Sequence, residues 1–254
     1  NVPRLNYLTV AGAPFLLDEP QSTNLKSFSE SITILKLYNV SQASLTEVLV
    51  TNPSGVDSAS LFKLSPGANV GSSNEGFTFI LSLANNTQHT QSLFVKQAGS
   101  SVLRLRNNAI GGIADFSLIG AGTAPANIIG LQSSTISAYV NGWYRISFTY
   151  TTGSSSPSNN AGLYTIKTNV ADGINGLYVF GAQLELGGVA TSYIPTEASA
   201  VTRNADVITV APPAGTVKIT TTFSDNTTQV LTTIPATFTV PQGLIKQVLM
   251  QNSL

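Results

Sequence analysis

The chain has 254 residues, enough for one large β domain with an appendage or for two small domains. Charged residues make up 9%, against roughly 25% in an average soluble domain, and 12 Lys+Arg balance 12 Asp+Glu, so no basic footprint exists for nucleic acid or an anionic membrane. The absence of Cys excludes a disulfide framework and thiolate ligands and leaves a chain able to fold in a reducing cytoplasm. Ser, Thr, Asn, Gln and Gly replace the missing charge, a composition of strands and turns. No apolar run approaches the roughly 20 residues of a membrane span, so membrane insertion is not expected. Met250 is the only methionine, so Asn1 is not expected to be a translation start.

In chain order, residues 1–30 come first, with Pro3, Pro14, Pro20 and the turn-rich DEPQSTN. Proline fixes φ and gives a ladder no donor, so this segment predicts an extended, irregular arm that enters a sheet near Leu25. Period-two runs follow. In GFTFILSL, Phe77, Phe79, Leu81 and Leu83 share a side; SLFVKQ, SVLRLRN and ADFSLIG repeat the pattern. In WYRISFTY, Tyr144, Ile146, Phe148 and Tyr150 alternate with Arg145, Ser147 and Thr149, which reads as a strand with one face on a core. GLYTIKT and GLYVFGAQLEL continue at the spacing of an all-β sandwich. GAGTAPAN (Gly120–Asn127) and GSSSPSNNAG (Gly153–Gly162) read as exposed loops.

After Asp206 the strands shorten, with Val217, Ile219 and Phe223 expected on one side and a turn at Ser224–Thr227. The expected organisation is an extended arm over 1–24, a β-sandwich over 25–205 and a small β-hairpin module over 206–254, docked on the sandwich or on a neighbouring subunit. No helical periodicity and no internal repeat appear.

Candidate chemistry is sparse. His89, the only histidine, lies in the polar stretch NNTQHTQ and reads as a surface loop residue, with no Ser or Cys and spaced acid around it. Glycoside hydrolysis needs two facing carboxylates; the acids available include Asp18, Glu19, Glu30, Glu75, Asp115, Asp172 and Glu185, of which Glu75 and Glu185 are preferred. Asp172 in ADGING and Asp225 in SDNT suit turns. A structural Ca²⁺ stays open, with Asp172 or Asp57 as oxygen donors, but no D-x-D-x-D-G loop is present and no ligand set is assigned. GAGTAPAN lacks the Lys of a phosphate loop. Trp143 and Tyr144 read as packing residues rather than sugar platforms; Tyr7, Tyr38 and Tyr193 are the better candidates for exposed aromatics.

Four stretches carry a resemblance: NVPRLNY at the start, LLDEPQSTNL (Leu16–Leu25), NGWYRISFT (Asn141–Thr149) and GAQLELGGVATSYIPTEASAVTRNAD (Gly181–Asp206). In this order they resemble a family of bacteriophage and prophage virion proteins, tail-fibre or head-spike-fibre proteins with a carbohydrate-binding-module-like jelly roll. The likeness runs from residue 1 to about 206. The chain departs from the pattern at Ala13-Pro14, where relatives commonly show Cys-Pro, and at Asp18 and Ser22, so the basic residue before Thr-Asn-Leu is missing.

The resemblance implies an antiparallel jelly-roll sandwich of concanavalin type in which the Thr-Asn-Leu strand containing Asn24 lies beside the Gln-Leu-Glu strand. Gln183 and Glu185 are then expected to satisfy backbone groups of Gln21–Leu25, since a semi-buried carboxylate without partners is expensive. Tyr193-Ile194-Pro195-Thr196 is expected to cross the surface, and Arg203 to anchor the exit on Asp206 or Glu197. It further implies a non-enzymatic virion surface protein assembled in a bacterial cytoplasm, homotrimeric as fibres usually are, contacting other virion proteins and host glycans. The alternatives are a polysaccharide depolymerase and a stand-alone carbohydrate-binding module.

Overall fold

Because successive side chains of a strand point to opposite faces, the alternating runs fix which residues line a core. The computed structural model describes residues 4–6, 15–30, 36–38, 43–66, 76–78, 83–107, 112–125, 131–154, 163–166 and 171–252. Its strands are β1 (Arg4–Asn6), β2 (Phe15–Asp18), β3 (Ser22–Asn24), β4 (Lys36–Tyr38), β5 (Ala43–Thr51), β6 (Asp57–Leu64), β7 (Gly76–Thr78), β8 (Gln88–Ala98), β9 (Val102–Asn107) and β10 (Gly112–Ser117). They continue as β11 (Leu131–Ala138), β12 (Trp143–Thr151), β13 (Leu163–Ile166), β14 (Gly176–Leu186), β15 (Val201–Arg203), β16 (Thr209–Val210), β17 (Thr216–Phe223), β18 (Thr228–Leu231), β19 (Phe238–Thr239) and β20 (Gly243–Asn252). Among the described residues there is no α-helix.

The chain divides into two compact units, Thr23–Thr202 and a second made of both chain ends, Asn1–Ser22 with Arg203–Leu254. In the first, one sheet has the order β11-β12-β8-β14-β6-β5 and another the order β10-β9-β13-β7-β4. Phe62 of β6, Leu93 and Val95 of β8, Ile146 and Phe148 of β12 and Val179 of β14 share a buried cluster with Leu103 and Leu105 of β9 and Phe116 of β10. One core between two antiparallel sheets is a sandwich, and the expected all-β sandwich class holds.

On the opposite face of the six-stranded sheet a second apolar cluster forms from Ala59, Phe94, Trp143 and Phe180, with Val50, Tyr178 and Tyr193 against it. Both faces of this sheet are therefore packed near its centre. That is why β8 and β14 are buried along most of their length rather than in strict alternation.

In the second unit the sheet order is β1-β2-β20-β17-β18. Of the expected arm, residues 4–6 and 15–18 form strands there: β2 pairs with β1 on one side and with β20 on the other, through Leu16↔Ile245, Leu17↔Leu244 and Asp18↔Gly243. Leu16 packs on a small core of Ile219, Phe238, Val240 and Ile245. Val217 does not share the buried side with Ile219 and Phe223; register shifts between Thr216 and Lys218 and between Thr222 and Phe223 break the alternation, and Val217 is exposed. The turn at Ser224–Thr227 forms as expected, with Asp225 Oδ1 accepting the Thr227 N–H at 2.9 Å and Asn226 at φ 67.

Candidate functional site

Parts of the second, third and fourth resemblance stretches meet on the outward face of the six-stranded sheet, around β14. GLYVFGAQLEL begins as a regular strand with Val179 facing the sandwich core and Phe180 facing outward. The pairing with β8 then shifts between Phe180↔Phe94 and Gln183↔Ser92, so two residues of β14 oppose one of β8. This is a β-bulge, and it flips the parity of everything after it. Ala182 turns to the core, while Gln183 and Glu185 join Phe180 on the outward face. Gly181 sits at the bulge with φ 63, and a Cβ there would lie 3.0 Å from the Phe94 ring and 3.2 Å from the Tyr193 ring. Only glycine meets both demands.

Beyond Val179↔Ser60 the ladder between β14 and β6 ends. Residues 24–29 take over the vacated edge: Leu25 N donates to Leu184 O at 2.8 Å, and Ala182 N donates to Ser29 O at 2.9 Å. Asn24 completes the seam with its side chain. Its Nδ2 donates to Ile194 O at 2.9 Å and Ala182 O at 3.2 Å, and its Oδ1 accepts from Leu184 N at 3.1 Å and Lys26 N at 3.0 Å. A buried amide offers two donors and two acceptor lone pairs, and Asn24, with no exposed surface, uses all four.

The roles expected of Gln183 and Glu185 are thus redirected. Both are fully buried, but the segment they hold is the strap after β14 rather than residues 21–25. Ile194 N donates to Gln183 Oε1 at 2.7 Å, and Gln183 Nε2 donates to Thr191 O at 3.3 Å. The Glu185 carboxylate accepts Thr191 N at 3.1 Å and also the Thr191 hydroxyl. Around them, Arg145 Nη2 donates to Thr191 O at 2.5 Å, Thr90 Oγ1 to Gly187 O at 2.7 Å and Thr149 Oγ1 to Gly188 O at 3.2 Å. Strap carbonyls that a loop would leave to water are met by side chains rising from the sheet, which satisfies the requirement that buried backbone groups be paired.

Tyr193, expected as an exposed aromatic, is half-buried. Its ring packs edge-on against Phe94 at 6.0 Å and tilted against Phe180 at 5.6 Å, and its hydroxyl lies 2.7 Å from Ser29 Oγ. Burial raises its pKa, with the Ser29 hydrogen bond opposing that shift. Thr196 extends the same seam by donating its N–H to Ser29 Oγ at 2.8 Å and accepting Ser29 N at 3.1 Å. Trp143 has no exposed surface and donates its indole N–H to Thr51 O at 2.9 Å; Tyr144 points into the core with its hydroxyl on Gly120 O at 2.9 Å. Lys26 is buried with Nζ on Ser27 O at 2.6 Å, and burial lowers its pKa.

Arg203 does anchor the exit strand, but its partner is Glu19, at 2.8 Å from Nη1, with Nη2 donating to Pro20 O at 3.2 Å. Asp206 serves the same corner by accepting Glu19 N at 3.0 Å, while Asp206 N donates to Glu19 O at 2.9 Å.

His89 is the clearest misreading. It lies in β8, is buried, stacks on Tyr150 with centroids 6.1 Å apart and places Nδ1 3.0 Å from Thr87 O. Burial lowers its pKa, partly opposed by the Thr87 carbonyl. Beside it, burial pushes the Tyr150 hydroxyl up to about 12, although Gln91 Nε2 donates to it at 2.9 Å.

The acids are dispersed. Asp18 and Glu19 are buried and Glu30 is exposed; Asp57 accepts the Thr51 hydroxyl at 2.6 Å. Asp115 takes a two-pronged bond from Arg104 at 2.7 and 2.9 Å, which raises the Arg104 pKa. Asp172 caps its own turn by accepting Ile174 N and Asn175 N at 2.8 Å, and those N–H groups lower its pKa. Among the described residues no group of three or more His, Asp or Glu is placed to hold a metal. Glu75, Tyr7 and the side chain of Tyr38 lie outside the described residues.

The fold and seam together define a β-sandwich closed by amide and hydroxyl side chains together with Glu185 and Arg145. The chain matches no protein-family model and no curated protein. Among solved structures it is similar to the Clostridium thermocellum N-terminal endo-1,4-beta-D-xylanase 10B, CBM22-1 and GH10 modules complexed with xylohexaose, at 12% identity and a TM-score of 0.37. That match covers 66% of this chain and 29% of the other, so the chain spans under a third of the length of that structure.

Proposed function

We propose that this chain is a surface structural subunit of a bacteriophage or prophage virion, a fibre, spike or decoration protein displayed on head or tail. The observation that carries the reading is where the resemblance motifs fall. Asn24 of the second motif, Trp143 and Arg145 of the third, and Gln183, Glu185 and Tyr193 of the fourth all lie in one packed seam. They hold the sandwich shut. A shell locked by buried amides and hydroxyls, with Glu185 and Arg145 each bonded within the seam, keeps its cohesion where exposed ion pairs are screened by salt. The reading assigns the chain no hydrolytic activity and allows contact between copies of itself.

The test is localisation in purified particles. Antibody against the chain should decorate intact virions at a defined position, and a cryo-EM map should contain its sandwich. Particles lacking the chain while it accumulates free in the host would overturn the reading.

Carbohydrate binding is the second reading, favoured by one residue. Tyr139, 49% exposed, is the aromatic side chain left open among the described residues, and its ring is steadied edge-on by Phe94 at 5.2 Å. Aromatic faces bind pyranose rings, so Tyr139→Ala should abolish any signal on a glycan array. No signal from the wild type would remove this reading, and binding unchanged by the substitution would take the site away from Tyr139.

A further inference from the structure

Lys63 of β6 and Lys96 of β8 stand on the outward face of the six-stranded sheet, on either side of β14. Strand parity puts them there: Phe94 packs in the outward cluster and Val95 in the core, so Lys96 faces outward again, and Ala59 in the outward cluster places Leu61 and Lys63 on the same side. Gly176 of β14 makes room for one of them. It lies opposite Lys63, and a Cβ there would meet Lys63 Cγ at 2.8 Å and Leu61 Cδ1 at 3.2 Å, so the lysine stem leans over β14 through space that glycine leaves open.

Between the two lysines stands Tyr178, directly opposite Lys96, half-buried and packed on the outward apolar cluster. On its other side Lys96 reaches the turn between β11 and β12, with Cε 3.8 Å from where a Cβ on Gly142 would lie. That turn carries Tyr139, whose ring meets Phe94 two residues before Lys96. Two tyrosines and two lysines therefore share one stretch of sheet face. Neither ammonium group has an ion pair or hydrogen bond among the described residues. Of the acids nearest Tyr178 in the sequence, Asp172 caps its own turn through Ile174 N and Asn175 N, and Glu185 is buried on Thr191.

We propose that this patch binds an acidic polysaccharide, a chain of pyranose rings bearing carboxylates. The sugar faces rest on Tyr139 and Tyr178, and Lys63 and Lys96 receive the carboxylates. Charge complementarity selects the ligand: two cations without acidic partners, beside aromatic rings, favour an anionic sugar over a neutral one. β6 and β8 lie about 10 Å apart across β14, which suits a polymer that repeats its charge better than a lone anion. A nucleic acid strand fits less well, because it presents a phosphate at every residue and the next cation on this face, Arg145, is committed to Ser92 Oγ and Thr191 O. The inference rests on the carbohydrate reading and names the class of its ligand.

The full chain tests it by affinity electrophoresis through gels holding polygalacturonate, hyaluronate, the methyl ester of the first polymer, or neutral hydroxyethylcellulose. At least one of the two acidic polymers should retard the wild type, and the ester and the neutral polymer should not. Lys63→Gln and Lys96→Gln should each weaken that binding by about two- to fivefold with an unchanged circular dichroism spectrum. Equal retardation by the ester or the neutral polymer, lost in Tyr139→Ala, would keep the carbohydrate reading and overturn the acidic ligand. Wild-type retardation in both lysine variants would also overturn it, as would tighter binding to oligothymidylate than to either acidic polymer. Retardation by none of the polymers would overturn the inference and the carbohydrate reading together.

Discussion

The two units reach stability by different routes. The Thr23–Thr202 sandwich has a large core in which Phe62, Phe116, Trp143, Phe148, Tyr150 and Phe180 are essentially inaccessible. The smaller unit buries Ile219, Phe238, Val240 and Ile245 and leans on half-buried Leu16, Phe223, Leu231, Val248 and Met250. Small domains bury a smaller fraction of their surface and need support from elsewhere. Here the support is topological: β2 arrives from the opposite end of the chain and sits between β1 and β20. The lesson is that the same low-charge sequence makes one body from a thick core and another by joining its two ends.

That contrast can be broken from either side. The largest effect should come from the sandwich: Trp143→Ala removes a fully buried indole and orphans Thr51 O, a loss of about 3–5 kcal/mol for such a truncation. Urea denaturation reads it directly, and a loss below about 1 kcal/mol would mean that the outward cluster is not packed as described. Deleting residues 1–18 should act on the other unit, stripping two of five strands from its sheet. Hydrogen exchange should then accelerate at Leu244 and Ile245, the residues facing Leu17 and Leu16, while the β8 and β14 amides stay protected.

The pH response is smaller. His89 is held neutral by burial, so its folded pKa lies below the unfolded value near 6.5. The unfolded chain then takes up the proton first as pH falls. The His89 contribution is complete above about pH 6.5 and shrinks as pH drops from there toward the lowered folded pKa. His89→Gln should flatten that part of a stability profile measured between pH 7 and 5. Smallest, and opposite in sign, is Ser60→Ala: Ser60 Oγ is buried with no hydrogen-bond partner among the described residues, so removing it should raise stability by up to about 1 kcal/mol. A measured loss would point to a partner that the fold does not show.

Much of the sandwich is legible in the sequence because period two is a local signal. WYRISFTY declares β12, and its polar side, Arg145, Ser147 and Thr149, is the face on which the strap rests. β11 and β6 are harder to read: LQSSTISA is an edge strand with mostly exposed polar residues, and DSASLFKL places Ser60 at a buried position. His89 was hidden by its polar neighbours, since NNTQHTQ reads as a turn until the pairing Tyr150↔His89 puts it in the ladder. The candidate site is half legible. Asn24, Gln183 and Glu185 stand out as polar residues in strand-like runs, but the bulge at Gly181 decides which way the last two point. Their partner Thr191 lies in a stretch of small residues with no pattern to mark it. Glu19 and β2 find their partners near the other end of the chain, which local periodicity does not reveal.

Asn24 concentrates the account into one amide. Asn24→Ala should leave Leu184 N, Lys26 N, Ala182 O and Ile194 O without their partner and lower sandwich stability in urea by about 2–4 kcal/mol, beyond an ordinary surface change. If the variant instead unfolds at the wild-type urea concentration, the Asn24 amide is not what closes this sandwich.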